Sequence, residues 1–157
     1  MNEAAMKDAC ELLDADHIAV KHLFVEYARQ AMAAPQQPGD RPQLAGRICQ
    51  ELTVHAQIEE EIFYPALRGA IDQPQLLDEA QAEHQEAKDL IAQVQARGSR
   101  ADPALDDLVS QLARVIEHHV KEERDMLFTK ARASSLDLVA LGAQLKERQD
   151  ELMGQMA

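Results

Sequence analysis

His55-Ala56-Gln57-Ile58-Glu59 and His119-Val120-Lys121-Glu122-Glu123 decide how this chain folds. Each sets a glutamate four residues after a histidine, one helical turn along the same face. An apolar pair follows each, Ile62-Phe63 in one case and Leu127-Phe128 in the other. The two stretches form a weak internal repeat of the pattern H-x-x-x-E. Leucine, isoleucine and valine recur three and four residues away on either side, so the helical period carries these polar residues to the buried side.

Working outward, the chain divides at its breakers. Loops are expected at Pro35–Pro42, Gly69–Pro74 and Gly98–Pro103, with a short break at Ala133-Ser134-Ser135. Five amphipathic segments lie between them. The first, about 3–33, has an inner face of Cys10, Leu13, His17, Val20, Phe24 and Tyr27. The second, about 42–70, presents Ile48, Leu52, His55, Glu59, Ile62 and Ala66. Leu77, Ala80, His84, Ala87, Ile91 and Val94 line the third, about 75–97. The fourth, about 103–132, starts at the helix signal Asp102-Pro103 and carries Leu108, Leu112, Val115, Ile116, His119, Glu123 and Met126. The fifth, about 135–155, opens at Ser135 and packs through Leu136, Val139, Leu145 and Leu152. Short loops between long helices make antiparallel neighbours. The expected fold is therefore all-α, an up-down-up-down four-helix bundle over about 3–133 with an additional C-terminal helix, forming one domain across 1–157.

Composition agrees. Of 157 residues, 46% are hydrophobic and only 3% aromatic, which favours helix over sheet. Sixteen basic residues against 28 acidic ones leave a net charge of −12, which repels phosphate backbones and anionic lipid. Neither nucleic acid nor membrane is an expected partner. No apolar run approaches the ~20 residues of a membrane span, and the N-terminus reads as no secretory signal. Cys10 and Cys49 form no C-x-x-C pair and fall at different heights in antiparallel helices, so a cytoplasmic location without disulfides is expected.

Each of the four long segments places one histidine near its middle on its apolar stripe: His17, His55, His84 and His119. One such histidine is ordinarily a core residue with a hydrogen-bond partner, and a lone H-x-x-x-E is ordinarily a surface pair. Four inward histidines with two matched glutamates, Glu59 and Glu123, are different. Buried together without partners, these six groups would each cost several kcal/mol, and a metal satisfies all of them. The nitrogen and oxygen donors suit iron, manganese or zinc, and two carboxylates from different helices can bridge a metal pair. His118 with Glu123 is the alternative pairing in the fourth helix. His22 falls off the face of His17 and belongs to the rim or the surface.

The contexts of these residues carry a family resemblance. Leu12-Leu13-Asp14-Ala15-Asp16-His17 and His55 through Pro65 resemble the first two signature stretches of the hemerythrin-like (HHE cation-binding) domain. Glu83-His84 through Leu90 resembles its third stretch, and His118-His119 through Phe128 its fourth. The resemblance implies a non-haem centre of two iron ions, bridged by two carboxylates and an oxo or hydroxo group. His17 and His55 would bind one iron, His84 and His119 the other, and Glu59 and Glu123 would bridge. Its roles in the family include binding O2 or NO, sensing oxygen, redox state or iron, iron storage, and iron-sulfur repair. The chain departs from the oxygen carriers at Lys88, where they have a fifth histidine. An ammonium cannot ligate iron, so an open or water-filled position is expected beside His84, which favours sensing or redox reactivity over oxygen carriage. O2 or NO is the expected small-molecule ligand, any protein partner would act in trans, and no catalytic residue is assigned.

Three other classes compete. Ferritin-like oxidases use Glu-x-x-His pairs, and no histidine here has a glutamate three residues before it. A histidine phosphotransfer bundle would use one exposed histidine, faintly suggested by His118-His119-Val120-Lys121, but the four inward ones would go unexplained. A metal-free interaction bundle would leave the same six residues without a purpose.

Overall fold

The computed structural model describes residues 7–98 and 100–156, and all of its regular structure is helical. The elements are α1 (Ala9–Ala33), α2 (Arg41–Ile58), a π-helical turn at Glu59–Phe63, α3 (Tyr64–Arg68), α4 (Pro74–Ala96), α5 (Pro103–Glu122), a second π turn at Glu123–Leu127, α6 (Phe128–Ala133) and α7 (Leu138–Met156). Each π turn joins its flanking α segments without a loop, so α2–α3 and α5–α6 are continuous rods.

Sequence signals set the ends. Asp8 caps α1 through a capping box with Glu11, so the helix starts at Ala9 rather than near residue 3; residues 3–6 lie outside the described chain. Asp102 accepts from the Leu105 N–H, with Pro103 in the first turn of α5 as expected. The fifth helix begins at Leu138 and not at Ser135, because the Asp137 carboxylate takes the Ala140 N–H. Val139 is exposed, against expectation, while Leu145 and Leu152 are buried as expected and Leu141 joins them.

Two hydrophobic clusters make the core. One holds Leu12, Leu13, Ile58, Phe63, Leu67, Leu77, Leu127 and Phe128 with Leu145 and Leu152 of α7. The other holds Val20, Tyr27, Ile48, Leu52, Ile91, Val94, Leu105 and Leu112. The α1 and α4 chains run from the first cluster to the second, and the α2–α3 and α5–α6 rods run back. This is the alternation that an up-down-up-down bundle requires. Neighbours close a ring of α1, α2, α4 and α5, while α7 packs outside it on α1 and α2. The four histidine layers fall between the clusters.

The π turns shift the buried face by one residue. A straight helix would turn Ile62, Ala66 and Met126 inward after Glu59 and Glu123. Instead Phe63, Leu67, Leu127 and Phe128 are buried, Ile62 and Ala66 are half-buried, and Met126 is exposed. One extra residue per turn produces this offset. Pro65, which lacks an N–H, helps loosen the first turn, but Thr129 stands at the matching place in the second. What the two turns share is a buried glutamate at their start.

Candidate metal centre

The structure brings all six residues singled out from the sequence to one point, and all are buried. The Nε2 atoms of His17 and His55 lie 3.1 Å apart, and those of His84 and His119 lie 3.2 Å apart. Glu123 spans the two pairs, with Oε1 at 3.1 Å from His17 Nε2 and Oε2 at 3.4 Å from His119 Nε2. Glu59 Oε1 lies 3.3 Å from His55 Nε2 and 3.0 Å from His84 Nε2. Two donor groups therefore share a carboxylate wall: His17, His55, Glu59 and Glu123 on one side, and Glu59, His84 and His119 on the other.

Each imidazole is held from behind at Nδ1 by its own carboxylate: His17 by Asp14 at 3.3 Å, His55 by Asp16 at 3.0 Å, His84 by Glu60 at 2.8 Å and His119 by Glu83 at 2.7 Å. A carboxylate at Nδ1 places the proton there and turns the Nε2 lone pair inward, the arrangement a metal-binding histidine needs. All four Nε2 atoms point at the shared centre.

The electrostatics ask for cations. Burial disfavours charge on His55, yet the Glu59 charge and the Asp16 bond outweigh it and raise its proton affinity to about 10. His119 is pushed up to about 12 against burial, by its bonds to Glu123, Glu59 and Glu83. Burial works the other way on Glu59, but His55 and the surrounding bonds hold that carboxyl well below its usual range. Even so, Glu59 Oε2 and Glu123 Oε1 have no hydrogen-bond partner although fully buried. Buried carboxylate oxygens facing imidazole nitrogens are a donor set that fits a metal ion.

The sequence pattern alone does not reveal Tyr64. Its buried hydroxyl donates to Glu123 Oε2 at 2.7 Å, and lies 3.2 Å from Glu59 Oε1, 3.2 Å from His84 Nε2 and 3.5 Å from His119 Nε2. Burial and the two glutamate charges push this phenol well above its ordinary range. Five residues after Glu59 is off the face of an α-helix. A π turn closes Tyr64 N–H onto Glu59 C=O and brings the ring round. The signal that could have found it is the repeat itself, because Phe128 follows Glu123 at the same interval and its ring stacks on His17 with centroids 6.0 Å apart. Tyr64 faces His84 in the corresponding way at 5.4 Å. The two donor groups are thus unequal, with an oxygen on one and a hydrocarbon on the other.

His118 lies outside, its side chain 66% exposed between Glu83 and Glu122. His22 is exposed as expected. Lys88 stands on the rim, donating to Glu60 Oε1 at 2.8 Å, and the oxygen beside His84 Nε2 is the Tyr64 hydroxyl. Cys10 and Cys49 are free and buried in separate clusters. A cavity of about 140 Å³ opens over all four histidines, walled by Val20, Leu52, Ala87, Ile91, Ile116 and Val120.

A helical chain that converges imidazoles and carboxylates in this way falls in the class of all-α metal-binding domains. Residues 8–131 match the Hemerythrin HHE cation binding domain, and the chain belongs to that family. The crystal structure of a hemerythrin HHE cation binding domain-containing protein from Mycobacterium kansasii superposes with a TM-score of 0.78 at 27% identity, covering 96% of this chain and 90% of the other. An uncharacterized Mycobacterium tuberculosis protein is 29% identical over 150 residues, 94% of this chain and 88% of its own. A Nostoc DNA nickase is 34% identical over 125 residues, 78% of this chain; the match spans only 33% of that protein's length. Among the described residues no helix is long and apolar enough to cross a membrane.

Proposed function

We propose that this chain is a di-iron protein that binds O2 or NO, or reports redox state, through a centre held by His17, His55, Glu59, His84, His119 and Glu123 within a four-helix bundle. The observation that carries this reading is the pairing of unsatisfied buried carboxylate oxygens with four Nε2 atoms beneath an apolar cavity. His17 and His55 would hold one ion and His84 and His119 the other, with Glu59 and Glu123 between them. Tyr64 adds a seventh donor on the His84 side. Iron so held supplies one-electron chemistry and a coordination position for a diatomic ligand.

The residues of the chain do the rest. Asp14, Asp16, Glu60 and Glu83 orient the imidazoles. The cavity, about 140 Å³ against the roughly 30 Å³ a water occupies in the liquid, has room for a diatomic molecule beside the histidines. With Tyr64 serving one side and Phe128 the other, the His17–His55 position is the one left short of a donor, and it is where an exogenous ligand binds. Iron sensing, storage or iron-sulfur repair would use the same centre, but the apolar cavity favours a gaseous ligand.

Elemental analysis of protein made in iron-replete cells tests the metal, with two irons per chain expected. Stoichiometric zinc, or an empty site, would overturn the di-iron reading. Absorption spectra of the anaerobically reduced protein, mixed separately with O2 and NO, test the ligand. No spectral response to either gas would remove the sensing role.

A further inference from the structure

The four carboxylates behind the histidines are themselves held, and not all from within the ring of long helices. Lys88 of α4 holds Glu60, Arg124 of the second π turn holds Asp14, and His118 of α5 approaches Glu83. Asp16 is held by Gln149 of α7, whose Nε2 donates to Asp16 Oδ2 at 2.8 Å, and the same oxygen accepts from His55 Nδ1 at 3.0 Å. The neighbouring Arg148 donates from Nε to Glu61 Oε1 at 2.8 Å, within the π turn that Glu59 begins. The outer helix therefore grips both the backing of His55 and the turn that carries Glu59. Its own position is tightly set. A Cβ on Gly142 would come within 2.5 Å of the Lys7 carbonyl, so α7 lies directly on the backbone that leads into α1.

The chemistry of the grip differs from the others. Lys88 and Arg124 bring a positive charge to their carboxylates. A glutamine amide fixes Asp16 in place without neutralising it. Asp16 then keeps its full pull on the His55 Nδ1 proton, which leaves Nε2 a stronger donor. The contact also lies on the wall of a solvent-open groove between α1 and α7, lined by Asp16, Gly142, Lys146 and Gln149. Without the amide, water competes for Asp16 and the imidazole loses its anchor.

We propose that Gln149 is a positioning residue for the metal centre: by fixing Asp16 behind His55, α7 sets the metal affinity of the His17–His55 position and leaves that of the His84–His119 position alone. This rests on the two-metal reading and names the part of the chain through which that centre is tuned.

Cobalt(II) titration of metal-stripped protein, followed by visible absorption, tests it together with thermal unfolding of the metal-free chain. Unaltered protein takes up two equivalents. Gln149→Met keeps the length of the side chain but not the donor, and should weaken one equivalent by about ten- to a hundredfold while sparing the other. The metal-free midpoint should move by no more than about 3 °C, since a single part-exposed hydrogen bond is lost. Gln149→Lys, which restores a donor to Asp16 but brings a positive charge that weakens its pull on His55, should recover only part of the lost affinity. Two unchanged equivalents in Gln149→Met would overturn the proposal and leave the two-metal reading intact. So would equal weakening of both alongside a matching fall in the metal-free midpoint, the mark of a merely structural contact. Fewer than two equivalents in the unaltered protein would overturn the two-metal reading and this proposal with it.

Discussion

Tyr64→Phe is the most informative single change, because it removes one oxygen from the centre and leaves the packing in place. The ring stays between Phe63 and His84 in the first core cluster. What disappears is the 2.7 Å donation to Glu123 Oε2 and the weaker 3.2 Å contact with Glu59. A hydrogen bond to a charged group contributes about 1.5–3 kcal/mol, and here the carboxylate left behind is buried and already short of a partner on its other oxygen. The metal-free protein should therefore lose about 2–3 kcal/mol, or roughly 4–12 °C in thermal midpoint for a chain of this size. In the iron-loaded protein the same change removes the donor proposed for the His84–His119 position. A ferric phenolate absorbs strongly in the visible range, and that band should be present in the unaltered protein and absent from Tyr64→Phe. Iron content after dialysis against a chelator should also fall. If both proteins show the same visible spectrum and retain the same iron, Tyr64 is a hydrogen-bonding neighbour of the glutamates and not a ligand.

Other expectations rest on the same geometry. Metal uptake should release protons at pH 7, since the imidazoles of His55 and His119, raised to about 10 and about 12, hold protons in the metal-free state that a cation must displace; affinity then falls as pH is lowered, and uptake without proton release in a weakly buffered indicator assay would contradict this. Lys88→Met should keep both metals and cost at most about 1 kcal/mol, because the lysine is a part-exposed partner of Glu60 rather than a ligand; loss of one metal by elemental analysis would show otherwise. Arg41→Met should destabilise the chain by about 3 kcal/mol without changing metal content. The fully buried guanidinium pairs with Asp106 at 2.7 Å and caps the Pro35 and Gln37 carbonyls; its loss would strip both carbonyls of their side-chain donor and leave Asp106 only the Tyr27 hydroxyl. Chemical denaturation and elemental analysis of that variant check both halves.

Most of the fold is legible in the sequence because the apolar stripes are long and their breakers clear. The third segment shows it best, since Leu77, Ala80, His84, Ala87, Ile91 and Val94 are all buried as their spacing requires. Val139 departs from expectation because, six residues before Leu145, it falls about a third of a turn off the face that Leu145 and Leu152 bury as expected, whereas Leu141 lies on it. Arg41 is invisible for another reason. Nothing in PQQPGDRP says that its arginine folds under the loop onto Asp106, a residue on the fourth helix of the ring. Partners distant in sequence leave no periodic trace.

The site divides along the same line. Histidines and glutamates spaced by a turn can be read directly, while Tyr64 cannot, because its approach depends on a change of helical period that starts at Glu59 itself. The acidic composition argues against anionic partners, and the structure gives part of it a local purpose as well. Asp14, Asp16, Glu60 and Glu83 back the imidazoles, and Glu59 and Glu123 lie among them, so six of the 28 acidic residues surround one buried point. Lys88 and Arg124 answer them with positive charge, and each answers an outer carboxylate. The inner pair faces the histidines and the Tyr64 hydroxyl. In the metal-free chain the raised proton affinity of His55 and His119 lets the imidazoles answer that inner pair. Two divalent cations would take over that task and displace the protons, so the local excess of acid over base serves either form of positive charge in turn.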